Sequence, residues 1–283
     1  MSGFRYEKDG DKIVTISLDL PAGPVSSETI SRSLDEVIAR LESDDVAGVV
    51  IASGKEPFSS RASARELLNF PKLSRKDVYD RLAALKVRLR RLESLGKPVV
   101  AAIGDNALGA EFEIFLAAHH RVAVNRPDLL IGLPDVAAGL LPSLGGLVRL
   151  VYLLGLEKAL PLLQDGVRLS PEKACEVGLI NELVADADDL LSRAKTWIKA
   201  NPAAAQAWDK KGYQIPGGTP AHPRIAQMII TAPAILRKKN DPTRPTQEAI
   251  LCAAVEGAQV DLDSALRIES RYLVELLFSG AKA

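Results

Sequence analysis

Two acidic residues in apolar surroundings are the side chains of this sequence best suited to acid–base chemistry. Glu113 lies in the otherwise apolar segment 112–118, and Asp135 lies in the segment 132–136, which reads GLPDV. Glu113 either points to solvent or is a partly buried carboxylate with a raised pKa. Composition alone favours solvent exposure for Glu113 and a role as a helix or turn cap for Asp135.

A glycine precedes the segment that contains Glu113. Gly109 is followed by Ala110 and Glu111, and a short apolar helix is predicted from there. Backbone N–H groups at the start of such a helix have no intrahelical acceptor, so they can stabilise a developing negative charge. The stretch 97–150 is therefore the part of the chain that says most about function.

Motifs for other kinds of site are absent from the sequence. No two of the 20 glycines are separated by a single residue, so GxGxxG does not occur, and no Lys-Ser/Thr pair follows the turn 104–109. These absences argue against NAD or ATP binding. Cys175 and Cys252 have no CxxC or His/Cys neighbours, so neither a metal site nor a disulfide is expected. His119 and His120 are predicted to be structural, because no nucleophile motif accompanies them.

Composition is that of an ordinary globular α/β protein. Of the 283 residues, 47% are hydrophobic and 25% are charged, while aromatic residues make up only 5%. The 36 basic and 36 acidic residues cancel, so no global field attracts nucleic acid or an anionic membrane. The charged N-terminus and the lack of an apolar run of about 18 residues predict a cytoplasmic protein without a membrane span.

Strands and helices are predicted to alternate over the first 200 residues. Strand-like segments are separated by helical periodicity, which favours a sheet covered on both faces; they lie at 13–18, 48–52, 99–103 and 122–124. One long helix has an apolar stripe of Val78, Leu82, Leu85, Leu89 and Leu92. Its opposite face is predicted to be solvated and basic, with Arg81, Lys86, Arg88, Arg90 and Arg91.

Strand signals stop after about residue 200 of the sequence. A Gly/Pro-rich segment at 212–223 leads into three predicted helices, near 223–238, 246–258 and 262–279. We therefore predict a core in residues 1–200 and a helical C-terminal region in residues 201–283.

The central part of the chain resembles the signature of the enoyl-CoA hydratase/isomerase (crotonase) family, in which a Gly-Gly-Gly-x-Glu turn precedes a Gly-Leu-Pro-Glu-Val-x-x-Gly-Leu-x-Pro segment. The resemblance is carried by KPVVAAIGDNALGAEFEIFLAAHHRVAV at 97–124 and IGLPDVAAGLLPSLGGLVRL at 131–150. Residues 197–273 resemble the hydratase portion of the bacterial multifunctional fatty-acid oxidation α subunit, just before its dehydrogenase domain. The resemblance implies an α/β crotonase (ClpP/crotonase-like) ββα superhelix with a C-terminal helical region.

The same resemblance implies roles for particular residues. Glu113 takes the place of the first catalytic carboxylate, and Asp135 takes that of the second, which is normally glutamate. The backbone N–H groups of Ala62 and Ala110 correspond to the two oxyanion-hole donors. Water activation is assigned to Glu113 and proton transfer to Asp135. The positions expected to bind substrate are Ser60, Arg61, Ser63, Leu108, Gly109, Pro134, Pro142 and Gly145.

The activity that the resemblance implies is the addition of water to a 2-enoyl-CoA thioester in fatty-acid β-oxidation. Coenzyme A enters as part of the substrate, and no separate cofactor or metal is expected. The expected partners are an acyl-CoA thioester and either other copies of the chain, as a homotrimer or hexamer, or dehydrogenase and thiolase components.

Departures from the family pattern leave alternatives open. Ala110 and Glu111 replace glycines, Arg61 replaces a small residue, and Asp135 is one methylene shorter than glutamate. A displacement of about 1 Å can cost about 100-fold in rate, so one alternative is a catalytically impaired acyl-CoA-binding or assembly module. The other is a different crotonase reaction, such as isomerisation or thioester hydrolysis, because one oxyanion hole serves many chemistries.

Overall fold

The computed structural model of this chain describes residues 4–19, 27–54, 73–239 and 241–279. The strands in these ranges are β1 (Arg5–Lys8), β2 (Ile13–Ser17), β3 (Gly48–Ala52), β4 (Val99–Ile103), β5 (Ala107–Leu108), β6 (His120–Val124), β7 (Ile131–Gly132), β8 (Arg168–Leu169) and β9 (Glu182–Val184). The α-helices are α1 (Ser27–Ser43), α2 (Arg75–Glu93), α3 (Ala110–Leu116), α4 (Gly146–Leu154), α5 (Leu156–Gln164), α6 (Pro171–Val177), α7 (Ala187–Ala200), α8 (Pro223–Lys239), α9 (Arg244–Gly257) and α10 (Leu262–Phe278).

The main sheet has six strands in the order β1-β2-β3-β4-β6-β9. The first pair is antiparallel, and every other neighbouring pair is parallel. The five residues of β4 are all fully buried, and β3 is nearly so. Continuous apolar runs of this kind are typical of parallel strands that are covered on both faces. The predicted two-sided sheet is therefore confirmed.

Alternate residues of each strand enter two separate hydrophobic clusters. Val49 and Val99 pack on one side of the sheet with α1, α2 and α3. Val50 and Val100 pack on the other side against α7. The separation follows from the period of two along a strand, which sends successive side chains to opposite faces. The predicted strands at 13–18, 48–52, 99–103 and 122–124 are confirmed to within a few residues.

A second, three-stranded sheet brings the two acidic segments of the sequence together. β5 pairs with β7 in parallel, and β7 pairs with β8 in antiparallel orientation. Just past β5, the Gly109 N–H donates to the Gly132 carbonyl at 3.0 Å. Helix α3 follows Gly109, and the segment that contains Asp135 follows Gly132. This sheet therefore fixes Asp135 next to the start of the helix that carries Glu113.

Helix α2 has the predicted apolar stripe but not the predicted solvated basic face. Ser74 and Asp77 form a capping box at its N-terminus, which fixes where the helix begins. Arg81 and Arg91 are exposed, but Lys86 is only 2% exposed. The solvated position predicted for Lys86 is wrong, because α10 packs against that face of α2 and supplies an ion-pair partner.

The C-terminal helices α8, α9 and α10 confirm the three predicted helices. Side chains of α9 and α10, among them Ile250 and Leu266, belong to the same hydrophobic cluster as Leu147 of α4. The C-terminal helices therefore complete the core that the first 200 residues begin. The division into two regions at residue 200 stays a prediction. Within the described ranges, none of the helices combines the length and the apolar character that crossing a membrane requires.

Phe115 of α3 offers a test of how tightly this core is packed. Its side chain is fully buried, so Phe115→Ala should lower the free energy of unfolding by about 3–5 kcal/mol through lost burial and the cavity that remains. Urea unfolding followed by circular dichroism measures the change. Val87→Ala is the control, since Val87 is 59% exposed and should change stability by less than about 0.5 kcal/mol. Equal losses in the two variants would contradict the packing described here.

Candidate active site

The Glu113 carboxylate is bound by backbone amides at the start of α4. Its Oε1 accepts a hydrogen bond from the Ser143 N–H at 3.0 Å. Its Oε2 accepts from the Leu144 and Gly146 N–H groups at 2.7 and 2.6 Å. The side chain is 0% exposed, so the solvent-exposed position that composition favours is wrong. The N–H groups at a helix start have no intrahelical acceptor and carry partial positive charge, and this allows a carboxylate to be buried there.

A second buried carboxylate, from α10, binds the same loop. Glu269 Oε1 accepts from the Gly145 N–H at 2.9 Å, and Oε2 accepts from the Val148 N–H at 3.1 Å. The Lys86 Nζ lies 2.7 Å from Glu269 Oε1, and both side chains are almost completely buried. Two acidic side chains, from α3 and α10, therefore divide the amides of residues 143–148 between them.

Two consecutive glycines, Gly145 and Gly146, allow the buried side chains of Arg149 and Glu113 to approach the backbone closely. A Cβ on Gly146 would lie 2.8 Å from Glu113 Oε2, and a Cβ on Gly145 would lie 2.2 Å from Arg149 Nη1. Gly145 also has a φ of +98°, which residues with a side chain rarely adopt. Gly146 is therefore required by the position of Glu113, and Gly145 by the position of Arg149 and by its own φ.

A second buried ion pair, Arg149 with Glu93, contacts the same loop through the Leu144 carbonyl. Arg149 of α4 donates from Nε and Nη2 to the two carboxylate oxygens of Glu93 at 2.8 and 3.0 Å. Its Nη1 donates to the Leu144 carbonyl at 2.9 Å. Glu93 also accepts from Arg90, which is paired in turn with Asp209. The bidentate geometry and the extra hydrogen bonds offset part of the cost of burying these charges.

Asp135 lies opposite the start of α3. It is the first residue of a 3-10 helix, Asp135–Ala138, rather than the residue that caps it, so the capping role that composition favours is wrong. A Cβ built on Gly109 would lie 3.7 Å from Asp135 Oδ1. Asp135 Oδ2 is buried and has no hydrogen-bond partner among the residues that the structure describes. One oxygen of this carboxyl group is thus held beside Gly109 and is not used by the fold.

Burial raises the pKa of both candidate acid–base groups. It raises the pKa of Glu113 to about 8, with the nearby carboxylates of Asp135 and Glu269 adding to the rise and the amides of Gly146 and Ser143 opposing it. Burial likewise raises the pKa of Asp135 to about 6, and the Glu269 carboxylate contributes. Between these two values the pair shares one proton. Such a pair can accept a proton at one oxygen and supply one at another.

Of the two predicted oxyanion-hole donors, Ala110 lies within the described residues and Ala62 does not. Ala110 is the first residue of α3, so its N–H has no acceptor within the helix. Gly109 precedes it with a φ of +55°, which turns the chain sharply into the helix. Ala62, the second predicted donor, lies outside the described residues. The oxyanion hole therefore stays a prediction.

The other predicted binding residues fall into three groups. Leu108, Gly109 and Pro134 are half-buried around the junction of β5, α3 and β7. Pro142 and Gly145 are buried, and the Gly145 N–H is bound by Glu269. The remaining three lie outside the described residues: Ser60, Arg61 and Ser63. A role in substrate binding stays a prediction for all eight.

His119 and His120 have structural contacts. The Val99 N–H donates to His119 Nδ1 at 2.9 Å, and the opposite ring nitrogen of His119 lies 3.1 Å from the Glu93 carbonyl. His120 stacks on Trp197 with the ring centroids 4.6 Å apart. Over residues 4–19, 27–54, 73–239 and 241–279, no group of three or more His, Cys, Asp or Glu side chains is arranged to hold a metal ion.

Sequence reasoning missed Glu269 and Lys86 as residues of the site. Both lie on the apolar faces of their helices: Lys86 follows Leu85 in α2, and Glu269 is three residues after Leu266 in α10. A lone charge on an otherwise apolar face is a signal of a buried pair. This signal does not show which residue pairs with each buried charge. The pairing of Lys86 with Glu269 could therefore not be predicted from either helix alone.

Comparison with known proteins identifies the family of this chain and agrees with its fold. The model of the enoyl-CoA hydratase/isomerase family matches residues 9–212, which is most of the chain. The chain therefore belongs to the enoyl-CoA hydratase/isomerase family. Over 98% of its length it is 26% identical to the fatty acid oxidation complex subunit alpha of Shewanella baltica (strain OS185). Over 96% of its length it is 29% identical to the protein of that name from Idiomarina loihiensis (strain ATCC BAA-735 / DSM 15497 / L2-TR).

The chain covers only part of those relatives but nearly all of a solved structure. It spans 39% of the length of both curated relatives. The crystal structure of an enoyl-CoA hydratase from Bacillus halodurans superimposes with a TM-score of 0.66 at 21% identity, covering 99% of this chain and 97% of the other. The fold is therefore the crotonase fold with a C-terminal helical region, as the resemblance implies.

The buried Lys86–Glu269 pair offers a second test of the structure. Lys86→Met leaves the Glu269 carboxylate buried without its cation and should lower the free energy of unfolding by about 3–5 kcal/mol. The double variant Lys86→Met/Glu269→Gln removes both charges and should recover most of that loss. Urea unfolding measures both.

Lys76→Met is the matched control for this prediction. Lys76 lies on the same helix, is exposed and pairs with the exposed Asp80. Its loss should leave the unfolding midpoint close to that of the unmodified protein. If Lys86→Met behaved like Lys76→Met, the buried pair would not contribute to stability as described.

Proposed function

We propose that this chain is a 2-enoyl-CoA hydratase of fatty-acid β-oxidation. Family membership and similarity to the fatty acid oxidation complex α subunits support the substrate class. The observation that carries the proposal is the pair of carboxyl groups beside the start of α3, those of the fully buried Glu113 and the half-buried Asp135. Hydration of a conjugated thioester needs one group to take a proton from water and another to give a proton to carbon, and this pair supplies both.

The oxyanion hole supplies the electrostatic part of the proposed mechanism. When the oxygen of water attacks Cβ, electron density moves through the double bond onto the thioester oxygen and forms an enolate. The N–H of Ala110 is proposed to donate to that oxygen, together with the N–H of Ala62. Donors fixed in the backbone need no reorganisation as the charge develops, and in related acyl-transfer sites one donor is worth about 100- to 1000-fold in rate.

The carboxyl pair supplies the proton transfers. Three amides occupy acceptor positions of the Glu113 carboxylate, which leaves one position on Oε1 for the O–H of the attacking water. Glu113 takes the proton of that water. Asp135, whose Oδ2 has no hydrogen-bond partner within the described residues, gives a proton to Cα. The substrate gains the elements of one water in total: the hydroxyl group at Cβ and a proton at Cα. The proton taken up by Glu113 passes to Asp135 and restores the reactive form before the next turnover.

A second candidate function is an acyl-CoA-binding module with little turnover. It is favoured by Glu111, which is fully buried in the first turn of α3, where the family has glycine. A side chain at this position changes the packing at the start of α3, and a displacement of about 1 Å can cost about 100-fold in rate. Calorimetric binding of crotonyl-CoA without turnover, followed by recovery of turnover in Asp135→Glu/Glu111→Gly, would establish this function in place of the first.

Hydration of crotonyl-CoA tests the leading proposal directly. The purified chain should remove the enone absorbance of crotonyl-CoA, and Glu113→Gln should reduce kcat by about 100- to 10,000-fold because it cannot accept the proton of water. Glu275→Gln makes the same chemical change on exposed α10 surface and should leave kcat unchanged. The proposal is contradicted if neither crotonyl-CoA nor longer 2-enoyl-CoA substrates lose enone absorbance and the unmodified chain behaves like Glu113→Gln.

The pH dependence of hydration follows from the two raised pKa values. The reactive state has one proton on the pair, held by Asp135 while Glu113 is ionised. Because Glu113 has the higher pKa, this is the less populated of the two one-proton forms, but both forms are most populated between the pKa of Asp135, about 6, and that of Glu113, about 8. The profile of kcat/KM should therefore be bell-shaped with its maximum in that range. Below this window both groups are protonated and no base remains. Above it both are ionised and no acid remains. A kcat/KM that stays constant from about pH 5 to 9 would contradict a shared proton.

A further inference from the structure

Two carboxylates interleave along one loop, which we call the amide loop, residues 143–148. Glu113 binds the amides of residues 143, 144 and 146, and Glu269 binds those of residues 145 and 148. The two sets alternate along the backbone. A shift of the Glu269 carboxylate therefore moves amides that lie directly beside those that bind Glu113.

Lys86 fixes the position of Glu269. Its Nζ contacts Glu269 Oε1 at 2.7 Å and donates to the Leu266 carbonyl at 3.1 Å and to Ser270 Oγ at 2.8 Å. An ammonium group has three protons to donate, so this set satisfies it. Glu269 and Ser270 are both fully buried. The geometry of Glu269 is therefore set by α2 and α10 together.

The charges that face Glu113 come from several elements. Asp135 approaches from the 3-10 helix and Glu269 from α10, and both are negative when ionised. Lys86 approaches from α2 on the far side of Glu269. Arg149 of α4 is neutralised by Glu93, and Glu111 is buried on the helix of Glu113 itself. Among these groups, Glu269 is the negative charge that shares the amide loop with Glu113.

We propose that Glu269, held by Lys86, is a positioning residue for Glu113, because it orders the amide loop and places a second negative charge beside the catalytic carboxylate. The catalytic part of this proposal rests on the hydratase function proposed above. Helix α10 thereby influences the pH at which Glu113 loses its proton. Glu269 itself is proposed to contact neither water nor substrate.

The sign of the effect follows from Coulomb's law. The Glu269 carboxylate disfavours ionisation of Glu113. Glutamine is nearly the same shape and keeps an oxygen that can accept from the loop, but it has no charge. Glu269→Gln should therefore lower the pKa of Glu113 by about one unit, a size expected for buried like charges that are screened only in part.

Carbon-13 NMR of protein labelled at glutamate Cδ tests the inference without needing any activity. The Glu113 resonance is assigned by its disappearance in Glu113→Gln, and its shift is followed against pH. The titration midpoint should be about one unit lower in Glu269→Gln than in the unmodified chain. Glu275→Gln, an exposed change on the same helix, should leave the midpoint unchanged. An unchanged or higher midpoint in Glu269→Gln overturns the proposal.

A second variant covers the case in which Glu269→Gln does not fold because Lys86 loses its partner. Lys86→Met/Glu269→Gln removes both charges, and the Glu113 midpoint should still fall, by a smaller amount, because Glu269 is the nearer charge on the amide loop. A midpoint that does not fall overturns the proposal. If neither variant folds, Glu269 is a purely structural residue and the proposal fails.

The activity assay separates this inference from the proposed function. If the chain hydrates crotonyl-CoA, the limb of the kcat/KM profile that belongs to Glu113 should move down in pH with the NMR midpoint in Glu269→Gln, while KM stays constant. If the chain hydrates no 2-enoyl-CoA, the proposed function is lost. The NMR midpoints still decide whether Glu269 governs the ionisation of Glu113.

Discussion

The free N–H groups at the start of α4 allow two acidic side chains to be buried next to each other. Water would normally solvate Glu113 and Glu269, and in the interior five backbone amides replace it. A carboxylate buried without such donors would cost several kcal/mol or take up a proton permanently. The amides moderate that cost without removing it, and the result is a carboxyl group that is ionised or protonated near neutral pH.

Gly145, Gly146 and the three-stranded sheet make this arrangement of carboxylates possible. Gly146 has no side chain because the Glu113 carboxylate occupies the space, and Gly145 adopts a left-handed turn that aims its N–H at Glu269. The pairing of β5 with β7 holds the start of α3 beside the segment of Asp135. The same short stretch of backbone therefore shapes both the fold and the candidate site, and this explains why Glu113 is so deeply buried.

The C-terminal helices contribute to the candidate active site as well as to the core. Helix α10 supplies Glu269, and α2 supplies the cation that accompanies it. The chain spans 39% of the curated relatives that it matches, and the match runs through these helices. Helices that complete both the core and the electrostatics of a site cannot be exchanged freely, because a change in their packing also changes the charge around the Glu113 carboxylate.

The sequence by itself predicted the strands β2, β3, β4 and β6, helix α2 and the three C-terminal helices, and it singled out Glu113 and Asp135. These follow from local periodicity and from a family motif that is contiguous in the chain. Tertiary structure alone decided that Glu113 is buried, that Lys86 is not solvated and that Glu269 shares the amide loop. Those outcomes depend on contacts between residues up to 184 positions apart, such as Lys86 with Ser270. Periodicity shows which face of a helix is apolar, but the partner of a buried charge is set by how distant helices pack.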